Sequence, residues 1–445
     1  MNILLLNLPV HTPTVMPYSL AMMKSVLSSE LKENVQVLDL NAKYHYDNFR
    51  EYFDRLKRGE NYFDVLSGFL KKTKEEYPKI SRLVRDGKMP IGYETLMNDI
   101  LGKKPDVVGI SLTYNSQVFF AKVIIEGLKE KGIKVVIGGP ADKSKLREGA
   151  VELASYSDFI DYIAGNGGTK KQMEGMADFI LDYSGFDKKY YLTKDIIYPL
   201  RTAISCPYKR CAFCTHHGNR DYEMFDLSMI KDAIIKNKMK KICFIDDDFT
   251  VPRLKELAVL LKPLNVEWWC QLRPLKQIIN LLPELCDSGL RCVAWGVESG
   301  SQEILEKIEK GTKIDDVKLV LKTAREIGIK NIAYIMFGYP GETEKDFYKT
   351  VEFLEENSDN IHLVSQSVFG LQRGSRIYEQ PEQFGIKNIT YKKRTILDEN
   401  IFYEPITGLN TEDVKKLRKL NKRRILSVNK LPESIILCKE QALNM

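Results

Sequence analysis

The chain has 445 residues, 44% hydrophobic and 29% charged, and its 67 basic and 60 acidic side chains give a net charge of +7. That length asks for two or three domains around sizeable cores, and the balanced composition argues against a disordered, collagen-like or coiled-coil chain. The positive excess is scattered, so it makes no case for a nucleic-acid partner.

No apolar run reaches the roughly 18 residues of a membrane span. The N-terminus, MNILLLNLPVHTP, lacks a basic n-region and meets Asn7 and Pro9 almost at once, which fits a first strand better than an export signal and places the protein in the cytoplasm. Strands predicted at 2–8, 35–40, 106–112, 133–138 and 159–163 alternate with helical stretches at 19–30 and 117–131. This is the pattern of an open parallel α/β sheet over residues 1–183. Ligands of such sheets bind at the strands' carboxyl ends, where Asn7-Leu8-Pro9, Ser111-Leu112-Thr113 and Gly138-Gly139-Pro140 gather. The insertion 43–104 is rich in Tyr, Phe and Lys at helical spacing and reads as a helical cap whose aromatics pack.

A polar connection, 184–199, leads to a second alternation with strands at 201–205, 241–246, 267–271, 292–297, 331–337 and 362–368. Six βα units predict a partial barrel over 184–390, with active residues at the strands' carboxyl ends. The tail 391–445 is predicted mainly helical. Its clearest helix is 411–426, with Thr411 as N-cap, Glu412 and Asp413 suited to the dipole, and its basic residues on a solvated face.

None of the eight cysteines precedes Cys206, and three then arrive together in Cys206-Pro-Tyr-Lys-Arg-Cys211-Ala-Phe-Cys214, directly after a predicted strand. Three soft ligands this close can hold a metal centre. Structural zinc takes four ligands, and His216 or His217 would supply the fourth. An iron–sulfur cluster on three cysteines instead keeps one iron open, a reactive arrangement. The lack of a second Cys or His pair at finger-like spacing favours the cluster, and zinc stays as the alternative. Cys243, Cys270, Cys286 and Cys292 lie in apolar contexts and read as buried, inert thiols.

On these residues the sequence resembles the radical SAM superfamily, whose signature C-x3-C-x2-C carries an aromatic before the last Cys, here Phe213. The first gap holds four residues instead of three, similar to a variant among cobalamin-associated members. Later segments follow the family's order: Phe244-Ile245-Asp246-Asp247-Asp248-Phe249-Thr250, Gln271-Leu272-Arg273-Pro274, Gly296-Val297-Glu298-Ser299-Gly300-Ser301, Gly338-Tyr339-Pro340-Gly341-Glu342-Thr343, and more loosely Arg373-Gly374-Ser375-Arg376-Ile377-Tyr378. The resemblance covers about residues 199–380. It implies that Cys206, Cys211 and Cys214 bind three irons of a 4Fe-4S cluster, while the amino and carboxylate groups of S-adenosyl-L-methionine (SAM) chelate the fourth. It also implies that Asp246, Asp247 and Asp248 lie near the SAM amino group and Glu298 near its ribose. Phe213, Arg273, Ser299 and Gly338 complete the implied cofactor site, and His216 and His217 are assigned to hydrogen bonds behind the metal loop.

The first 170 residues resemble the cobalamin-binding domain of the cobalamin-dependent radical SAM class, through Met1-Asn-Ile-Leu-Leu-Leu-Asn-Leu-Pro9, Pro17-Tyr-Ser-Leu-Ala21, Pro105-Asp-Val-Val-Gly-Ile-Ser111, Gly138-Gly-Pro140 and Asp161-Tyr-Ile-Ala-Gly-Asn-Gly167. The implied cobalamin contacts are Asn7, Pro9, Ser111, Thr113, Gly138, Gly139, Pro140 and Gly165. No Asp-x-His-x-x-Gly segment is present, an absence usual in the class, so no histidine is expected below cobalt; two features do depart from the family's pattern, since Gly165-Asn166-Gly167-Gly168 replaces a Gly-Glu-Gly-Glu-like stretch and Ala141 stands where His is common. The methylthiotransferase branch carries three further cysteines in its first domain, and this chain has none there.

The implied architecture is a Rossmann-like cobalamin-binding domain, a partial (β/α)6 TIM-barrel radical SAM domain and a small helical tail. The implied reaction is methyl transfer to an unactivated carbon of a small molecule or peptide, through methylcobalamin and a 5′-deoxyadenosyl radical. Its electron donor would be flavodoxin or ferredoxin, and its substrate would sit between the two domains. Oxidation or rearrangement, with or without cobalamin, is the second reading, and a non-catalytic zinc protein the third. The insertion and the tail are the expected sources of specificity.

Overall fold

The computed structural model describes residues 1–171, 179–215 and 221–445. The chain forms two compact units, Met1–Ile196 with Lys231–Lys238 and Lys393–Glu399, and Ile197–Ile230 with Met239–Lys392 and Asn400–Met445.

In the first unit, β1 (Asn2–Asn7), β2 (Asn34–Asp39), β3 (Val107–Ser111), β4 (Lys134–Gly138) and β5 (Val151–Glu152) form a parallel sheet in the order β2-β1-β3-β4-β5. The unbroken apolar runs of β1 and β3 are buried on both faces, as a helix-covered parallel sheet requires. The stretch 159–163 is not a strand. It lies in helix Tyr156–Gly165, where Ser155 and Asp158 form a capping box and Phe159 and Ile163, one turn apart, bury the same face. The fifth strand is the short Val151–Glu152 just before it. The insertion is helical, as its spacing predicts, in segments Leu40–Asn48, Arg50–Lys57, Tyr62–Arg85 and Tyr93–Leu101. Its aromatics pack: Phe69 meets Phe49 and Tyr52 edge-on, and His45 sits between the Asn41 carbonyl and the Tyr77 hydroxyl, at 2.7 and 2.6 Å. Burial pushes His45 down to about 3, so it is neutral there.

The second unit begins with β6 (Ile197–Leu200), not with 201–205. Next comes a small antiparallel ribbon of β7 (Ala203–Ile204) and β8 (Glu223–Met224). The strands β9 (Lys241–Phe244), β10 (Glu267–Leu272), β11 (Leu290–Glu298), β12 (Lys330–Phe337) and β13 (Leu363–Val368) complete a parallel sheet, order β13-β12-β11-β10-β9-β6, so the six βα units stand. The first strand stops at Leu200 because the Asp246 carboxylate, not a neighbouring strand, takes the next amides, and Ser205 turns left-handed at φ 68°. Trp268 and Trp295 lie fully buried on one face of the sheet, and Cys243, Cys270 and Cys292 are buried as well, while Cys286 is half-buried.

An antiparallel pair, β14 (Ile386–Lys392) and β15 (Asn400–Pro405), precedes the helical end of the chain. Helix Thr411–Leu420 is capped by Asn410, whose side chain accepts from the Glu412 and Asp413 amides; Thr411 is its first residue, not its cap. Asn421 ends it, and Lys422–Leu426 follows as a separate turn. The last 3-10 turn, Lys439–Asn444, buries Ala442 and Leu443 against β6, β10 and β11. Among the described residues no helix is long and apolar enough to cross a membrane.

Candidate active site

The cysteine loop is built onto the strand ends from several sides. Asp246, just past β9, accepts hydrogen bonds from the Thr202 amide and hydroxyl and the Ala203 amide at 2.7–3.1 Å, which fixes the backbone ahead of the loop. Burial pushes this carboxyl up to about 6 against the pull of those donors. Within the loop, Lys209 is left-handed at φ 55°, the Tyr208 hydroxyl donates to the Glu309 carbonyl at 2.9 Å, and the Ala212 amide donates to the Ile308 carbonyl at 3.0 Å. The Ala212 carbonyl accepts from the Ile377 amide, and Arg376 bridges the Arg210 carbonyl to Glu309. These braces hold Cys206, Cys211 and Cys214 half-buried, with a turn from the Cys214 amide to the Cys211 carbonyl at 3.2 Å. His216 and His217 lie outside the described residues.

Two cations face this loop. Arg273, just past β10, pairs with Asp248 at 2.7 Å and stacks its guanidinium 3.6 Å from the Tyr208 ring centroid. Lys310 pairs with Glu298 at 2.8 Å, with only 8% and 12% of the two side chains exposed, and lies 5.9 Å from the Phe213 ring centroid. Burial pulls Lys310 down, and Glu298, helped by Cys211 and Asp248, more than restores it, leaving it above its ordinary value. Glu298 has a left-handed φ of 67° where the register of β11 on β12 shifts, a bulge that re-aims its carboxylate. Gly296 makes the pair possible: a Cβ there would stand 2.6 Å from the Lys310 Nζ and 3.1 Å from the Glu298 Oε1.

Burial raises the Cys211 thiol to about 11, against the opposing pull of Lys310 and Arg273. A bound metal would therefore have to deprotonate it, as metals do. Among the described residues no three His, Cys, Asp or Glu side chains gather for a single metal ion. In an iron–sulfur cluster each thiolate has its own iron, so three thiols on one braced loop fit the group. The other predicted residues divide. Phe213 packs against the apolar cluster of Ile304, Met336, Tyr339 and Phe369. Ser299 is fully buried and bonded to Thr350, and Gly338 donates to Glu342 within its turn, so both brace the backbone. Asp247 is half-exposed between the two anchored aspartates.

In the first unit, the strand ends hold uncharged donors. Asn7 donates to Asp39 at 2.9 Å and accepts from Gln117 at 2.9 Å, Asp39 also accepts from Tyr191 at 2.7 Å, and Ser111 donates to Ser19 at 2.8 Å. The Thr113 amide donates to Gln117 at 2.8 Å. Gly139 has φ 105°, and a Cβ on it would sit 2.2 Å from the Leu112 carbonyl oxygen, so the Gly138-Gly139-Pro140 turn closes tightly on β3. Pro9 is in the loop after β1, and Gly165 ends helix Tyr156–Gly165 instead of following a strand. Sequence reasoning missed Lys310, Tyr208 and Gln117, whose partners Glu298, Glu309 and Asn7 stand 12, 101 and 110 residues away, at no spacing that announces a contact.

Parallel strands, a braced three-cysteine loop at their carboxyl ends and a buried ion pair beside it make up the candidate site. Residues 202–354 match the Radical SAM superfamily, whose domain binds a 4Fe-4S cluster and SAM. The chain is 24% identical over 250 residues to an uncharacterized methyltransferase of Pyrococcus horikoshii, covering 53% of this chain and 52% of that protein. It is 24% identical over 246 residues to the ribosomal protein uS12 methylthiotransferase RimO of Akkermansia muciniphila, covering 47% and 53%. The chain thus spans about half the length of these curated relatives. Its fold is similar to that of the radical SAM methyltransferase TsrM from Kitasatospora setae, solved with tryptophan and a SAM analogue, at TM-score 0.60 and 16% identity over 92% of this chain and 80% of that one. The cobalamin-dependent radical enzyme OxsB, solved with aqua-cobalamin, follows at TM-score 0.55 and 14% identity over 86% and 56%.

Proposed function

We propose that the protein is a cobalamin-dependent radical SAM methyltransferase acting on an unactivated carbon of a small molecule or peptide. The observation that carries this reading is the cysteine loop braced beside the Lys310–Glu298 pair, in a chain whose first unit ends its parallel strands in uncharged donors. Cys206, Cys211 and Cys214 would hold the cluster, and Asn7, Pro9, Ser111, Thr113, Gly138, Gly139 and Pro140 would hold cobalamin, whose amide rim suits neutral donors. When bound, the cluster supplies an electron to the SAM sulfonium and cobalamin carries the methyl group.

The chain's own residues bind and orient. Asp246 holds the approach to the loop, and Arg273, locked by Asp248, buttresses Tyr208. With SAM bound, Lys310 would present its buried ammonium to a carboxylate and Glu298 would accept hydroxyl hydrogen bonds, both worth more where water is excluded. Phe213 and its apolar neighbours keep water from one side. A one-electron donor such as flavodoxin or ferredoxin is the partner this chemistry needs.

The test uses anaerobically reconstituted protein, SAM with a trideuterated methyl group, a low-potential reductant and candidate acceptors. The reading expects 5′-deoxyadenosine and S-adenosylhomocysteine to form together, a product heavier by the labelled methyl group, and neither in Cys211→Ala. 5′-Deoxyadenosine without S-adenosylhomocysteine would replace methyl transfer by oxidation or rearrangement.

A further inference from the structure

The second unit's sheet has two unlike faces. Trp295, Val297, Ala333, Ile335 and Val364 are fully buried on one. On the other, Gly296 pairs with Tyr334 and Tyr334 with Ser365. Along that face Gln271, Tyr334 and Ser365 keep partial solvent access and Ser367 is exposed. The same face carries Trp269, in register with Cys243 and Cys292. Trp269 is only 6% exposed, yet its Nε1 has no hydrogen-bond partner, an arrangement that wastes a buried donor unless a ligand meets it.

The end of the chain reaches this face. The 3-10 turn Lys439–Asn444 packs on β6, β10 and β11, and the Lys241 ammonium anchors it by donating to the Leu443 carbonyl at 2.7 Å and Asn444 at 3.0 Å. The turn carries Lys439 to within 5.2 Å of the Tyr334 ring centroid. The ammonium donates to the Ile436 carbonyl at 2.9 Å and, among the described residues, has no carboxylate at ion-pair distance. Burial holds it below its ordinary value, opposed by the neighbouring Glu440. A partly buried ammonium with donors to spare is costly unless an anion completes it.

We propose that Lys439, with the Trp269 indole N–H and the Tyr334 side chain, holds a carboxylate of the substrate inside the second unit's barrel. One cation and neutral donors match a monoanion; a phosphate dianion would call for further cations, and Glu440 would oppose it. This deepens the radical SAM reading and rests on it, since it makes the tail part of that enzyme's substrate site.

The experiment measures binding of phenylacetate, phenylacetamide and phenyl phosphate to the cluster-reconstituted full chain by saturation-transfer NMR, with no turnover. Wild type is expected to bind phenylacetate in preference to the other two. Lys439→Met should weaken phenylacetate by about tenfold or more while leaving phenylacetamide unchanged, and Lys439→Arg should restore binding to within about threefold. Equal binding of acid and amide, tighter binding of the phosphate, no binding at all, or an unaffected Lys439→Met overturns the proposal. If Lys439→Met fails to fold, judged by its thermal midpoint, the wild-type comparison and Lys439→Arg still decide. SAM cleavage without acceptor is measured separately on the same samples: its absence in wild type defeats the radical SAM reading, whereas its retention in Lys439→Met alongside lost phenylacetate binding isolates the subsite.

Discussion

Replacing Lys310 by Met should destabilise the second unit far more than loss of a surface ion pair would. At 2.8 Å the Lys310–Glu298 attraction is about 6 kcal/mol at an effective dielectric of 20, and desolvation of two nearly buried groups offsets most of it. Truncating one partner leaves the other charged and buried, at about 3–5 kcal/mol. Met preserves most of the apolar stem, so packing loss adds little. Glu298→Gln should cost somewhat less, because the amide keeps one acceptor for Lys310. The double variant, with neither charge, should lose only about 1–2 kcal/mol, giving a coupling energy of at least about 2 kcal/mol. All three tryptophans, Trp268, Trp269 and Trp295, lie in β10 and β11, so urea unfolding followed by their emission reports this unit. A single-variant loss under about 1 kcal/mol, or strict additivity in the double variant, would refute the reasoning.

Glu342 is fully buried, and burial pushes its carboxyl up to about 8. A folded value above the unfolded one means that the stability it confers is complete below about pH 4.5 and is lost as pH rises through 8, by up to about 4–5 kcal/mol. Denaturation midpoints between pH 5 and 8 should therefore fall more steeply in wild type than in Glu342→Gln; parallel slopes would contradict this. With its thiol at about 11, Cys211 in metal-free protein should react with iodoacetamide at pH 7.5 on the order of a hundredfold more slowly than a free thiol of pKa about 8.5, as read by peptide mass spectrometry. Gly139→Ala meets both a φ of 105° and the Leu112 carbonyl, and should destabilise the first unit by more than about 2 kcal/mol in hydrogen exchange of β3 and β4 amides.

Much of the fold was legible because buried parallel strands are short apolar runs punctuated by Gly, Pro and Asn, as around β1, β3 and β4. Phe159–Ile163 failed because five apolar-rich residues suit a strand or one helical face equally; the deciding signal was the Ser155–Asp158 capping box upstream. The first barrel strand was misplaced because Thr202 and Ala203 look extended, while a side chain 44 and 43 residues away satisfies their amides. The cysteine loop was legible because metal chemistry constrains residue type and spacing together. Lys310 was not, since a lysine before Gly311 is unremarkable until the bulge at Glu298 and the absent side chain of Gly296 bring the two charges together.

The most direct test of the central claim is the metal content of protein reconstituted anaerobically with iron, sulfide and hydroxocobalamin and then desalted. About four irons and one cobalt per chain are expected, with iron lost in Cys206→Ala, Cys211→Ala or Cys214→Ala and cobalt retained. Iron without cobalt would remove cobalamin from the account, and zinc without iron would contradict the radical mechanism itself.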